Sequence, residues 1–192
     1  EADGDEDVQA AYSFQIDLNT SFTGEDSLDI SLDAGNAGGA VTEFDLNGTT
    51  NEALTVDGVS YTFPLGDATV FVGDNTDGSA LFSTACVYGG PSNTLDDCGN
   101  VSANFAGGGT AAGASLDFEN GFTAAVGYAG TGSSTSGLLT EEGLDSYGAN
   151  VAYTADNYGV SLTYAMSETD EAGGYEEDTF TALNAYYTPE SF

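Results

Sequence analysis

The chain has 192 residues, among them 32 Asp and Glu and not one Lys, Arg or His, so its formal net charge is −32. Without base there are no side-chain salt bridges, no guanidinium clamp for phosphate and no basic footprint, which excludes nucleic-acid binding. The same inventory removes Ser-His-Asp triads, Cys-His pairs, Ser-Lys dyads, Schiff bases and imidazole metal ligands, and the chain is not expected to be an enzyme.

Residues 1–9 read as an acidic tail and 10–192 as one β-barrel-like domain, a length that allows a single sizeable core or one small to medium barrel. From Tyr12 the chain alternates strictly, with Tyr12, Phe14, Ile16 and Leu18 on one face and Ser13, Gln15, Asp17 and Asn19 on the other. A turn at Thr23-Gly24-Glu25-Asp26 leads into Leu28, Ile30 and Leu32 against Asp29, Ser31 and Asp33, the second arm of a hairpin with an acidic polar face. Val41 to Leu46 is a weaker strand. In Leu54 to Phe63, Asp57-Gly58 is either a two-residue turn or a bulge within one strand.

Pro64 to Asp67 should turn the chain into the short strand Ala68 to Val72, after which Gly73 to Gly109 reads mainly as a long loop. That loop holds the only two cysteines, Cys86 and Cys98, whose spacing suits a disulfide. Such a bond would be worth roughly 2–3 kcal/mol and would place the protein in an oxidising compartment. Further on, Asn120-Gly121 lies between Leu116, Phe118 and Phe122, Ala124, Val126, Tyr128, a strong hairpin signal. Asp156-Asn157 stands in the same way between Tyr147–Tyr153 and Tyr158–Met166. Glu168 to Asp178 reads as a polar loop before a last strand, Thr179 to Tyr187.

The pattern predicts an all-β, antiparallel, hairpin-connected up-and-down barrel or barrel-like sheet of about ten strands, with short turns at one end and long loops at the other. No apolar run reaches the 18 or so residues of a transmembrane helix or forms a signal peptide, which leaves a membrane barrel open. Several strands look short of the roughly 9–11 residues a membrane span takes. The tyrosines near strand ends suit interfacial girdles or, equally, cross-strand packing.

Two groups of carboxylates are candidates for function. Asp17, Asp29, Asp33, Asp117 and Glu119 lie on polar faces or turns and would line a pore. Calcium is the one metal this inventory can hold, with Asp3, Asp5, Asp7, Asp74 and Asp77 as the candidate ligands, although neither segment completes a twelve-residue calcium loop. Other cofactors are not expected.

Several strings stand out in order along the chain: Leu18-Asn19-Thr20-Ser21-Phe22-Thr23-Gly24-Glu25-Asp26, Tyr61-Thr62-Phe63-Pro64-Leu65-Gly66-Asp67 with Val70-Phe71-Val72-Gly73, Asn120-Gly121-Phe122, Tyr153-Thr154-Ala155-Asp156-Asn157-Tyr158, and Ala185-Tyr186-Tyr187-Thr188-Pro189-Glu190. Together they resemble the barrel of the cyanobacterial outer-membrane porins that carry an S-layer-homology segment, the iron-uptake porin type. The resemblance implies an outer-membrane barrel, a trimer, that passes small hydrophilic solutes or cations. The family's S-layer-homology and coiled-coil segments, its first barrel strand and its last several have no counterpart here. Where the family commonly has basic residues, around Leu28 to Asp33, this chain has Asp29 and Asp33. The alternative is a secreted acidic subunit of a filament or surface layer, polymerising through its own strand edges and screened by calcium or salt.

Overall fold

Side chains that alternate in polarity sort onto two faces only when the backbone is extended, and the periodic stretches of this chain are strands. The computed structural model describes residues 10–36, 53–85, 109–131, 137, 139–140, 143–171 and 174–189. Among these residues there are nine strands and no helix: β1 (Ser13–Thr20), β2 (Ser27–Gly35), β3 (Thr55–Leu65), β4 (Ala68–Thr76), β5 (Gly109–Asp117), β6 (Phe122–Thr131), β7 (Leu144–Thr154), β8 (Tyr158–Glu171) and β9 (Gly174–Tyr187). They form one sheet in chain order, each strand antiparallel to the next. The expected up-and-down, all-β architecture is therefore observed. β1 and β9 are the edges and make no contact with each other, so the sheet is barrel-like but open among the described residues.

Four connections at one end are tight, and local chemistry explains each. Between β1 and β2, Asp26 accepts hydrogen bonds from Ser21 Oγ, from the Phe22 and Thr23 amides and from Thr23 Oγ1. Between β3 and β4, Gly66 takes φ 64°, which a II′ turn demands of its first central residue. Pro64 lies inside β3 rather than in the turn, paired with Thr69. Its missing N–H costs nothing there, because the β2 ladder has already ended at Ser27–Thr62. The β5–β6 turn is a three-residue loop closed by Phe118 N–H to Phe122 O, and Asp156-Asn157 makes the expected two-residue loop closed by Ala155 N–H to Tyr158 O.

One open alternative is decided and two further expectations resolve differently. Asp57-Gly58 is a bulge, since Ser31 pairs with Gly58 and Leu32 with Val56, leaving Asp57 without an opposite residue. Glu168 to Asp178 is not a loop: β8 and β9 run through it as a hairpin that sets Glu168 opposite Glu177. Polar, acidic composition suggested a loop, but fourteen consecutive pairs between the two strands carry the extended conformation through it. Gly73 to Thr76 belongs to β4 and Gly109 to β5, while Asp77–Ala85 is an ordered segment without a strand. Val41–Leu46 lies outside the described residues, and nine strands stand where about ten were counted. All strands but the eight-residue β1 have nine residues or more, longer than the alternation alone suggested.

The register is sheared. Paired residues trace one row across the sheet through Thr20, Leu28, Tyr61, Val72, Ala112, Tyr128, Tyr147, Met166 and Thr179. On the tight-turn side β1 stops at this row, β3 continues four residues to Leu65, β6 begins six residues beyond it at Phe122, and β8 eight residues beyond it at Tyr158. A stagger that accumulates in one direction tilts strands, by about 35–45° in sheets that close into barrels.

Candidate functional site

Directly paired residues share a face, so the register carries the faces of β1 across all nine strands. One face collects Phe14, Ile16 and Leu18, then the Leu28, Tyr61, Val70, Leu116, Val126, Val151, Leu162 and Leu183 positions. All sixteen large apolar strand residues that are exposed lie on it. The other face carries mostly small or polar side chains, with Phe71, Leu144 and Phe180 among the exceptions, and it is the enclosed one. Thr163, Ser161 and Asn150 are almost completely buried, while Leu162 between two of them is 50 % exposed. Among buried strand residues only Ala34, Gly130 and Asp145 lie on the apolar side.

On the polar face of β1 and β2, carboxylates alternate with amides and hydroxyls. Gln15 stands opposite Asp33, Asp17 opposite Ser31 and Asn19 opposite Asp29, so no two carboxylates face each other directly. Asp17 accepts from Ser31 Oγ and Gln15 Nε2, both at 2.7 Å. Asp29 accepts from Asn19 Nδ2 at 2.5 Å and Ser27 Oγ at 2.7 Å. Amides and hydroxyls thus supply the donors that Lys and Arg would supply in an ordinary protein. The result is a fixed strip of negative charge.

The polar face of β5–β8 differs: apart from Asp117 at the exposed end of β5 its described side chains are uncharged, and its middle is covered. The Asp77–Ala85 segment crosses it, with Ser83 N–H donating to Asn150 Oδ1 at 3.0 Å and Ala85 N–H to Ser161 Oγ at 2.9 Å. Asn150 Nδ2 in turn donates to Thr163 Oγ1 at 2.9 Å. Leu81 of the segment packs on Phe71, Ala111 and Ala129. The Phe71 ring lies over Gly113, where any β-carbon would collide with it. Two polar atoms on this face, Thr123 Oγ1 and Asn184 Nδ2, are buried without a hydrogen-bond partner in the protein.

Charge on the apolar face is confined to its two rims. Asp74, Thr110, Gly130 and Asp145 follow one another in a single row, and Glu168 and Glu177 continue it on β8 and β9. The Asp145 N–H donates to Glu168 at 3.1 Å. One row inward stand Tyr128 and Tyr147, ring centroids 5.6 Å apart, and the Tyr128 hydroxyl donates to Asp145 at 2.6 Å. The opposite rim has rings at Phe122–Tyr153 and Tyr153–Tyr158, 4.7 and 5.8 Å apart, and exposed carboxylates only in its turns: Glu25, Asp67, Glu119 and Asp156.

The sequence-predicted residues divide accordingly. Asp17, Asp29 and Asp33 come together on one polar strip. Asp117 sits at the exposed end of β5 on the same face, where it accepts from the Glu119 amide, and Glu119 itself is in the turn with φ 57°. Asp74 falls on the apolar face, accepting from Thr110 Oγ1 at 3.2 Å, and Asp77 caps its own turn by accepting from the Ser79 amide and hydroxyl. Among the described residues no three acidic or cysteine side chains converge as a metal would need. Asp3, Asp5, Asp7, Cys86 and Cys98 lie outside the described residues.

Sequence reasoning missed Asn150, Ser161 and Thr163, whose importance depends on a segment more than sixty residues away in the chain. It also missed Asp26, which was read as a turn residue only. Donation from Ser21, then Tyr61 at 2.6 Å and the Thr23 amide and hydroxyl, holds its carboxyl well below the usual carboxylate range. Compared with protein-family models, curated proteins and solved structures, the chain finds no match in any of the three.

Proposed function

We propose that the chain forms the wall of a porin-like outer-membrane barrel whose polar face conducts small hydrophilic solutes, cations in preference to anions. The observation that carries this reading is the segregation of faces: among the described residues every large exposed apolar strand residue points one way, and the enclosed face holds the buried hydroxyls and amide together with alanines and Phe71. A water-soluble sheet does the opposite, whereas a membrane barrel turns its apolar side to lipid and keeps a polar interior. The dimensions agree. The eleven residues of β7, at about 3.3 Å each and a tilt near 40°, rise about 28 Å, enough for an apolar band of about 25 Å.

In this reading Asp17, Asp29 and Asp33 hold negative potential along the conduction path, which concentrates cations and repels anions. The Asp77–Ala85 segment narrows the path on the β5–β8 side, covering the hydroxyls and amide beneath it. The resemblance to the cyanobacterial porins points the same way and rests on the sequence strings alone. Conductance of the purified chain in a planar bilayer tests the reading. Cation-selective steps that lose selectivity when Asp17, Asp29 and Asp33 are changed to Asn are expected; anion selectivity, or no insertion into any bilayer, overturns it.

A second reading, a secreted acidic subunit that polymerises by strand pairing, draws on the unpaired edges of β1 and β9 among the described residues. It predicts polymers in negative-stain micrographs that dissociate in chelator or low salt.

A further inference from the structure

The rims of the apolar face say which bilayer it fits. Membrane barrels and helices ordinarily meet the headgroup layer with Lys and Arg, which reach the phosphates. Here both rims carry carboxylates and the chain has no base at all. Along the long-loop rim, Asp74 and Glu177 are exposed, Glu168 is half-buried, and all three share the row that ends the apolar band. Asp145 in the same row is committed to Tyr128.

Resting on the membrane reading above, we infer that the outward face is built for a bilayer with no net negative surface charge, its carboxylate rims meeting the cationic ends of zwitterionic headgroups. Anionic lipid is admitted only when divalent cations bridge its phosphates to the rims. Two considerations set the sign. Each charge near an anionic surface shifts binding appreciably, attractively for base and repulsively for acid. Screening limits that influence to about 8–10 Å at ordinary salt, so the rim carboxylates dominate over the rest of the acidic chain. Within the band itself no Asp or Glu of the described strands lies on the apolar face between the two rims, so the lipid tails impose no charge preference of their own.

The test is refolding of the full chain from urea into three kinds of vesicle: phosphatidylcholine alone, phosphatidylcholine mixed with phosphatidylglycerol in chelator, and the same mixture with calcium. Heat-modifiable migration and protease protection report insertion. Insertion into the neutral vesicles, a roughly tenfold or greater loss in the anionic vesicles with chelator, and recovery with calcium are expected. Equal insertion into all three overturns the inference and leaves the membrane reading standing; insertion into none overturns the membrane reading itself. The triple variant Asp74→Asn, Glu168→Gln, Glu177→Gln should recover insertion into the anionic vesicles without calcium. The triple variant Asp17→Asn, Asp29→Asn, Asp33→Asn removes the same charge from the polar face and should not. Equal behaviour of the two variants places the effect in net charge rather than the rim and also overturns the inference.

Discussion

The polar face treats its two halves differently, and the contrast between β1–β2 and β7–β8 explains how a chain without base places its acid. On β1–β2 the face is open to water at Asp17 and partly so at Asp29, each accepting from neighbouring amides and hydroxyls, while Asp33 further along β2 is buried. On β7–β8 the Asp77–Ala85 segment covers the face, and the side chains beneath it are Asn150, Ser161 and Thr163, all at most 2 % exposed. Removing water from a carboxylate without a cationic partner is costly. Asp26, Asp33 and Asp145 are buried as well, so the loss of water accounts for the uncharged face under the segment and not for the placement of every carboxylate.

The largest effect should come from reversing that allocation. Thr163→Asp puts a carboxylate under the crossing segment with only Asn150 for a partner, and should cost about 3–5 kcal/mol. Ser31→Asp, on the open side opposite Asp17, adds a like-charge neighbour in water and should cost about 1 kcal/mol or less. Urea unfolding midpoints of the two variants measure the difference. Equal losses would mean that cover by the segment is not what keeps β7–β8 uncharged.

Removing the segment's apolar anchor is next. Leu81 packs on the buried Phe71, and because Leu81 is itself only half-buried, Leu81→Ala should cost about 2 kcal/mol, the low end for a leucine truncation. If the segment narrows a path, the same variant should also raise single-channel conductance. A loss of stability with unchanged conductance would separate the two roles.

How much of this contrast could be read in the sequence follows from the range of the forces involved. The hairpins of β1–β2, β5–β6 and β7–β8 are local: strict alternation brackets residues that prefer turns, and chain order alone brings the partners together. The acidic strip on β1–β2 was legible for the same reason, since Asp17, Asp29 and Asp33 alternate with apolar residues in two adjacent strands. Asn150, Ser161 and Thr163 looked like ordinary polar-face residues, because the segment that buries them is distant in sequence. The acidic β8–β9 hairpin was hidden by composition, since Glu168 and Glu177 are poor strand residues placed directly opposite each other. The row of Asp74, Asp145, Glu168 and Glu177 needs the register of six strands before it exists at all.

The hydrogen bonds that fix the segment should give smaller losses. Asn150→Ala leaves the Ser83 amide without its acceptor and Thr163 Oγ1 without its donor, for a loss of about 1–3 kcal/mol; Ser161→Ala removes one acceptor and should cost about 0.5–1.5 kcal/mol. Amide exchange at Ser83 and Ala85 distinguishes them: Asn150→Ala should release Ser83 first and Ser161→Ala should release Ala85 first. Simultaneous release in both variants would show that the segment lifts as one unit.

Asp26, a buried turn carboxylate beside the open β1–β2 face, shows how many neutral donors one carboxylate can use. Its folded-state pKa is depressed by Ser21, Tyr61 and Thr23. A depressed carboxylate contributes stability that is fully present above the ordinary Asp range near 4 and is lost as pH falls from there toward the folded value. Tyr61→Phe removes one of these donors and raises the folded pKa, so the variant should lose part of that stability at neutral pH, and its deficit against the unmodified chain should shrink as pH falls below about 4. Ser21→Ala, which removes the largest contributor, should show the larger neutral-pH loss and the same convergence in acid. Urea midpoints of the two variants across the acid range, set beside those of the unmodified chain, decide whether neutral donors alone hold this charge: a deficit that does not change with pH in both would mean that these donors do not act through the ionisation of Asp26.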